Sequence, residues 1–311
     1  MVDESVRDQG RSRRVFLKNA SLLVLVVTVV ALGVVAFVAA QDDVSGSASP
    51  GGVSVAPENP DRLVGTWWPQ GSSSLDGWLV AFGPTGELGA FDEDCAVEGE
   101  WRGSTAAMVT VVISGAGGRC DGVLDQSLDW FPSLQWFTVD HESVLLLDKN
   151  GDLIVRLEPA NDEASWPASA ADSSLIGDMD ETYRSAVEPI DLPEEAQPPE
   201  RSELTAGQWR PINVPATGDD LSSSAKESFV RFDDRGFYEG SDGCNGQFGS
   251  WALDPHTGHW LAMSGVTTLM GCANIDINGV LYRSIAVGVV DGELVFFDHK
   301  GAETARFEHE N

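Results

Sequence analysis

One sparse pattern occurs twice in this chain, at residues 63–158 and again at residues 204–308. Each copy opens on a Leu and a Gly-x-Trp: Leu63, Gly65 and Trp67, then Leu204, Gly207 and Trp209. Each continues through a Phe, a glycine turn, a Cys and a Trp: Phe82, Gly86, Cys95 and Trp101, then Phe232, Gly236, Cys244 and Trp251. A second Cys follows, Cys120 or Cys272. Each closes on an apolar run, an Asp-x-x-Gly turn and an Arg: Leu145 to Leu147, Asp148, Gly151 and Arg156, then Leu294 to Phe297, Asp298, Gly301 and Arg306. A pattern repeated at this period describes two related domains in tandem. About 100 residues per copy is an ordinary domain size, and the ten Trp of the chain supply bulky core anchors.

Within each copy, short apolar runs alternate with turn residues, as in GWLVAFGPTGELGAF, MVTVVIS, SVLLLDKNGDLIVRL, SFVRFDDRGFYEG and ELVFFDHKGAETARF. Such runs predict strands of four to seven residues in an antiparallel sheet or small barrel. The helix candidate of the second copy is Asn274 to Val287, with Asn274 or Asp276 as its N-cap.

Residues 1–20 are basic, and residues 21–40 read SLLVLVVTVVALGVVAFVAA. Twenty apolar residues at 1.5 Å rise cover a hydrocarbon core of about 30 Å. Positive flanks stay in the cytoplasm, so this reading gives a single transmembrane helix with everything after Gln41 outside. The segment Ser12 to Lys18, SRRVFLK, resembles a twin-arginine export signal. The alternative to an anchor is cleavage after Ala40 and secretion. Residues 41–60 form a Ser-, Gly- and Pro-containing stalk. The first domain is 61–159. Residues 160–202 form an acidic, Pro-rich linker, with PEEAQPPE at Pro193 to Glu200 and a short helix expected within Ser173 to Val187, where Trp166 and Leu175 are the apolar anchors. The second domain is 203–311.

Net charge is −30, with +2 on the first 40 residues and −32 on the rest. So acidic a surface repels phosphate backbones, which excludes nucleic acid as a partner class. Its main effect is solubility, and basic proteins or peptides are the easier partners.

Four Cys in an oxidising compartment allow three pairings, and repeat symmetry favours Cys95 with Cys120 and Cys244 with Cys272. Closing loops of that length stabilises each domain by about 3–4 kcal/mol in the chain-entropy description. The alternative is two pairs of free buried thiols.

SDGCNGQFGSW, Ser241 to Trp251, followed by TTLMGC, Thr267 to Cys272, resembles the paired motifs of the META (HslJ-like) domain family, here carried by Gly243, Cys244, Asn245, Thr268, Met270 and Cys272. The resemblance covers residues 203–308. The first copy departs from it, with Glu93 to Ala96 in place of Gly-Cys-Asn and with GAGGRC, Gly115 to Cys120, lacking the Thr and Met. The resemblance implies a mainly β, calycin-like fold of small antiparallel barrels, each with one helix. It also implies that the opening Trp packs beneath a basic residue of the last strand, Trp67 with Arg156 and Trp209 with Arg306. Such a stack contributes about 0.5–2 kcal/mol. Family members are envelope proteins linked to stress, without established catalysis.

The sequence holds no Gly-x-Ser-x-Gly elbow, His-Glu-x-x-His, P-loop or dinucleotide turn. His256 and His259, in DPHTGH, read as a hairpin turn rather than a metal pair. Asp148, Asn150 and Asp152, and Asn274, Asp276 and Asn278, lack the twelfth-position acid of a calcium loop. Asp233 and Asp234 read as a solvated turn pair. These readings predict no cofactor and no metal, and a membrane-anchored, non-enzymatic module that contacts an envelope or secreted partner. The alternative is a carrier of a small apolar ligand inside the barrel. A hydrolase, or an inhibitor of one, is the third reading, for which the sequence supplies no nucleophile with a base.

Overall fold

The apolar runs become strands bounded by the turns that the sequence marks. The computed structural model describes residues 59–71, 77–105, 107–116, 131–162, 179–214, 216–217, 227–265, 267 and 274–310. The apolar run 21–40 and the stalk up to residue 58 lie outside these, and no helix among the described residues is long and apolar enough to cross a membrane.

The first copy contributes β1 (Gly65–Gln70), β2 (Leu79–Phe82), β3 (Glu87–Phe91), β4 (Ala96–Gly103), β5 (Met108–Ala116), β6 (Trp136–Asp140), β7 (Ser143–Leu147) and β8 (Leu153–Pro159). They form one antiparallel sheet in the order β5-β4-β3-β2-β1-β8-β7-β6. The second copy contributes β9 (Gln208–Pro211), β10 (Ala216–Thr217), β11 (Phe229–Phe232), β12 (Phe237–Ser241), β13 (Gly246–Leu253), β14 (Trp260–Ser264), β15 (Asn274–Ile275), β16 (Ala286–Val290), β17 (Glu293–Phe297) and β18 (Glu303–Glu310). Its sheet runs β14-β13-β12-β11-β9-β18-β17-β16, the same order strand for strand, while β10 and β15 pair separately. The repeat is therefore a repeat of topology.

Each sheet curls until its edges meet. The Met108 amide donates to the Gln135 carbonyl, and at the same place in the second copy Trp260 donates to Ile285 and Val287 to Gly258. Alternation then sorts the side chains. Trp67, Phe82, Trp101, Met108 and Phe137 fill one barrel-like core, and Trp209, Phe232, Tyr238, Trp251, Trp260 and Phe296 the other. In the second, Trp251 and Trp260 stack at 5.6 Å, with Phe232 edge-on to both. The hairpin turns are built alike: the Asp148 carboxylate accepts from Asn150 N and Asp152 N, and Asp298 from Lys300 N and Ala302 N.

The second copy's helix is Ile277–Arg283, capped by Asp276 accepting from Gly279 N. It is shorter than predicted because Ser284 is already extended and leads into β16. Within the linker the helix is Glu181–Ser185. Its anchors are Met179, Tyr183 and Val187, whereas Trp166 and Leu175 lie outside the described residues. Residues 179–200 lie against both copies. Arg184 pairs with Asp61 of the first at 2.7 Å, and Gln197 bridges to Val289 of the second.

The copies are packed on each other through equivalent strands. The outward faces of β4 and β5 meet those of β13 and β14, burying Ala107, Val109, Ala252, Leu261 and Met263 together with Val187. Ser250 Oγ donates to the Thr110 carbonyl and Gln135 Nε2 to the Trp251 carbonyl across this junction.

Candidate functional site

The Gly-Cys-Asn segment is a turn organised by one buried carboxylate. Asp242 accepts from Cys244 N at 2.7 Å, from Asn245 N, from Gln247 Nε2 at 2.9 Å and from Asn274 Nδ2 at 3.0 Å. Its carbonyl also takes the Ile275 amide. Burial raises the Asp242 pKa, but hydrogen bonds from Asn245, Cys244 and Asn274 outweigh that and hold it below the ordinary value. Asp242 thus ties the turn to β15 and the helix start. Gly243, at φ 93, gives the turn its left-handed step.

The first copy keeps this turn with its cysteine moved. Asp92 accepts from Asp94 N and Cys95 N, and the Asp92 amide donates to Cys95 O as Asp242 N does to Asn245 O. Cys95 therefore occupies the position of Asn245, one residue beyond that of Cys244. Cys95 and Cys244 are each disulfide-bonded. Cys120, Cys272, Thr268 and Met270 lie outside the described residues.

The Arg–Trp stacks that the resemblance implies do not form. Val155 and Leu157 point into the core, so Arg156 between them points out and bonds Asp140 at 2.7 Å. Arg306, between core residues Ala305 and Phe307, bonds Glu293 and Glu303 at 2.8 Å. Strand alternation, period two, forbids the stack. Trp67 and Trp209 instead donate to the carbonyls of Leu63 and Leu204. Gly65 opens β1, and Gly207 lies against the His309 ring, which meets Trp209 edge-on at 4.9 Å.

Two other side chains cover the inner tryptophans. Arg201 lies 4.2 Å over the Trp251 ring, and Tyr183 packs on Trp101 at 6.0 Å and donates to its carbonyl. Both come from residues 179–204, outside the repeated pattern, so aligning the copies does not reveal them.

The DPHTGH segment is a turn, as predicted, but His259 is sealed at the junction. Its Nε2 lies 2.7 Å from Ser104 Oγ, with the residues 0% and 2% exposed. Burial, reinforced by the Arg102 charge, pushes the His259 pKa down to about 4. Nδ1 has no hydrogen-bond partner among the described residues. A serine nucleophile needs an approach path and a base oriented by a third group. This pair has neither and serves as a hydrogen bond across the junction.

The open feature is a groove of about 690 Å³ on the second copy, lined among others by Gln208, Arg231, Arg235, Phe237, Glu239 and Phe248. Arg231, Glu239 and Phe248 are cross-strand neighbours on the outward face of β11, β12 and β13. Phe248 is 48% exposed, Arg235 is paired with Asp233, and Arg231 lies over Phe229. At the positions of Arg231, Glu239 and Phe248 the first copy carries Ala81, Gly89 and Glu98, and Ala81 is buried with Leu79 and Phe91. The part of this face on β2 is thus covered in the first copy, while the position of Phe248 is taken there by an exposed Glu98. Among the described residues, no group of three His, Cys, Asp or Glu is placed to hold a metal ion. No family model, curated protein or solved structure matches the chain.

Proposed function

We propose that the chain is a non-enzymatic, membrane-anchored extracytoplasmic module of two META-like domains, the first degenerate, and that the groove of the second contacts an envelope or secreted protein. The observation that carries this reading is the groove's exposed Phe248 beside Arg231 and Glu239. An aromatic anchor with polar neighbours is the usual composition of a protein contact. The first copy serves as the partner barrel against which the second is held.

The carrier alternative has less support. The barrel interiors are packed with Trp, Phe and Leu side chains, and the groove opens on the outside of the sheet. The Cys95–Cys120 and Cys244–Cys272 pairings belong to the proposal, as does the membrane segment 21–40.

The test is photo-crosslinking in the native envelope from position 248, with Arg231→Glu as control. A discrete adduct that the control abolishes supports the module. A small-molecule mass retained by the chain in native mass spectrometry makes it a carrier. A mature N-terminus at Gln41 in the supernatant removes the anchor.

A further inference from the structure

Among the described residues, the junction between the copies buries two basic side chains with no carboxylate bonded to them. Arg102, from β4, is 4% exposed, donates to the Ala262 and Tyr282 carbonyls and lies 4.5 Å over the Tyr282 ring. His259 is fully buried in the same junction and bonds Ser104 across it. Ser104 Oγ also accepts from Ala107 N, which fixes the loop between β4 and β5 against β14. In its neutral form the imidazole accepts from the Ser104 hydroxyl and completes this contact.

A proton on the ring places a second cation beside a buried guanidinium. The charged groups facing the ring are Arg102 from β4, which opposes protonation, and Asp254 from the ring's own hairpin, which favours it; the Ile285 backbone also favours it. Burial and Arg102 outweigh the other two, so the closed junction excludes the proton.

We infer that His259 makes the junction an acid-released clasp: protonation of its ring separates β4 and β5 from β13 and β14 while each barrel keeps its own core. Each barrel has its own aromatic core cluster, and the junction cluster is small and distinct from both. The sign follows from linkage. The ring's pKa falls from the ordinary 6.5 to about 4 on closure. The histidine's support for the closed form is therefore complete above pH 6.5 and is withdrawn as pH falls towards 4. The open-to-closed ratio rises about tenfold per pH unit in that window, roughly 300-fold in all.

The test uses the full chain with fluorophores on unnatural amino acids at Leu153 and Ile212, which are exposed positions in the first and second copies. Energy transfer and far-ultraviolet circular dichroism are followed from pH 7.5 to 4. The expected result is a loss of transfer between pH 6.5 and 4 at constant dichroism, with His259→Gln holding its transfer through that window. Unchanged transfer in the wild-type chain overturns the inference, as does a His259→Gln profile matching the wild type, which would assign opening to carboxylates. If His259→Gln does not fold, the imidazole resonances of the wild-type chain decide. Titration of His259 near 6.5 without loss of transfer overturns the clasp, and titration only as transfer falls supports it.

Discussion

The guanidinium of Arg201 lies over the indole of Trp251, 4.2 Å from the ring centroid, and its Nη1 donates to Gln135 of the other copy at 3.3 Å. Its Nε reaches Asp234 at 3.2 Å. Burial lowers its pKa to about 10, so it stays charged at neutral pH. One side chain thus covers the second barrel's tryptophan and reaches the first barrel. Arg201→Met should lower stability by about 1–2 kcal/mol and shift Trp emission. Tyr183→Phe, which keeps the ring on Trp101 and loses one hydrogen bond, should cost about 1 kcal/mol. Urea unfolding followed by fluorescence measures both.

Asp242 should make the second copy acid-sensitive. Its folded-state pKa is depressed, so it stabilises the fold above its unfolded pKa of about 4. That contribution is lost as pH falls through the lower folded value. Asp242→Asn should cost about 1–3 kcal/mol at pH 7. The gap between variant and wild type should narrow as pH drops below 4 in a pH series of urea melts; a constant gap would show that the carboxylate's charge is unimportant.

Arg102 couples the copies. Arg102→Ala leaves the Ala262 and Tyr282 carbonyls without this donor and opens space at the junction. A loss of about 1–3 kcal/mol is expected. In calorimetry the variant should melt as two transitions where the wild-type chain melts as one.

Gly249, in the middle of β13, sits where a Cβ would lie 2.0 Å from the Met263 carbonyl and 2.5 Å from the Tyr238 ring. Gly249→Ala should therefore disturb the β13–β14 pairing and cost about 2 kcal/mol or more. Thermal melts followed by circular dichroism would show it, and an unchanged midpoint would mean the strands can move apart freely.

The cysteine pairing has a direct readout. Unreduced, denatured chain should give no alkylatable thiol, and its peptide map should link Cys95 to Cys120 and Cys244 to Cys272. Reduction should cost each domain about 3–4 kcal/mol. A Cys95–Cys244 peptide would overturn the pairing.

The repeat, the strands, the Asp-anchored hairpins and the Asp276 helix cap are legible in the residue pattern, because each depends on neighbours within a few positions. Trp67, Trp101, Trp209 and Trp251 are also readable as core, since they hold the same place in both copies. Outward apolar residues such as Val109, Leu261 and Met263 were the available signal that a second face is covered. Alternation shows which side chains share a face, however, and not what lies against it.

Local turn chemistry and strand period are enough to specify a pair of equivalent sheets with tryptophan cores. They do not specify that β4 and β5 pack on β13 and β14, that Arg201 and Tyr183 cover Trp251 and Trp101, or that His259 is buried against Ser104. Those contacts join residues up to 160 positions apart, and burial of a polar group at such a distance depends on which surfaces meet after the sheets have formed.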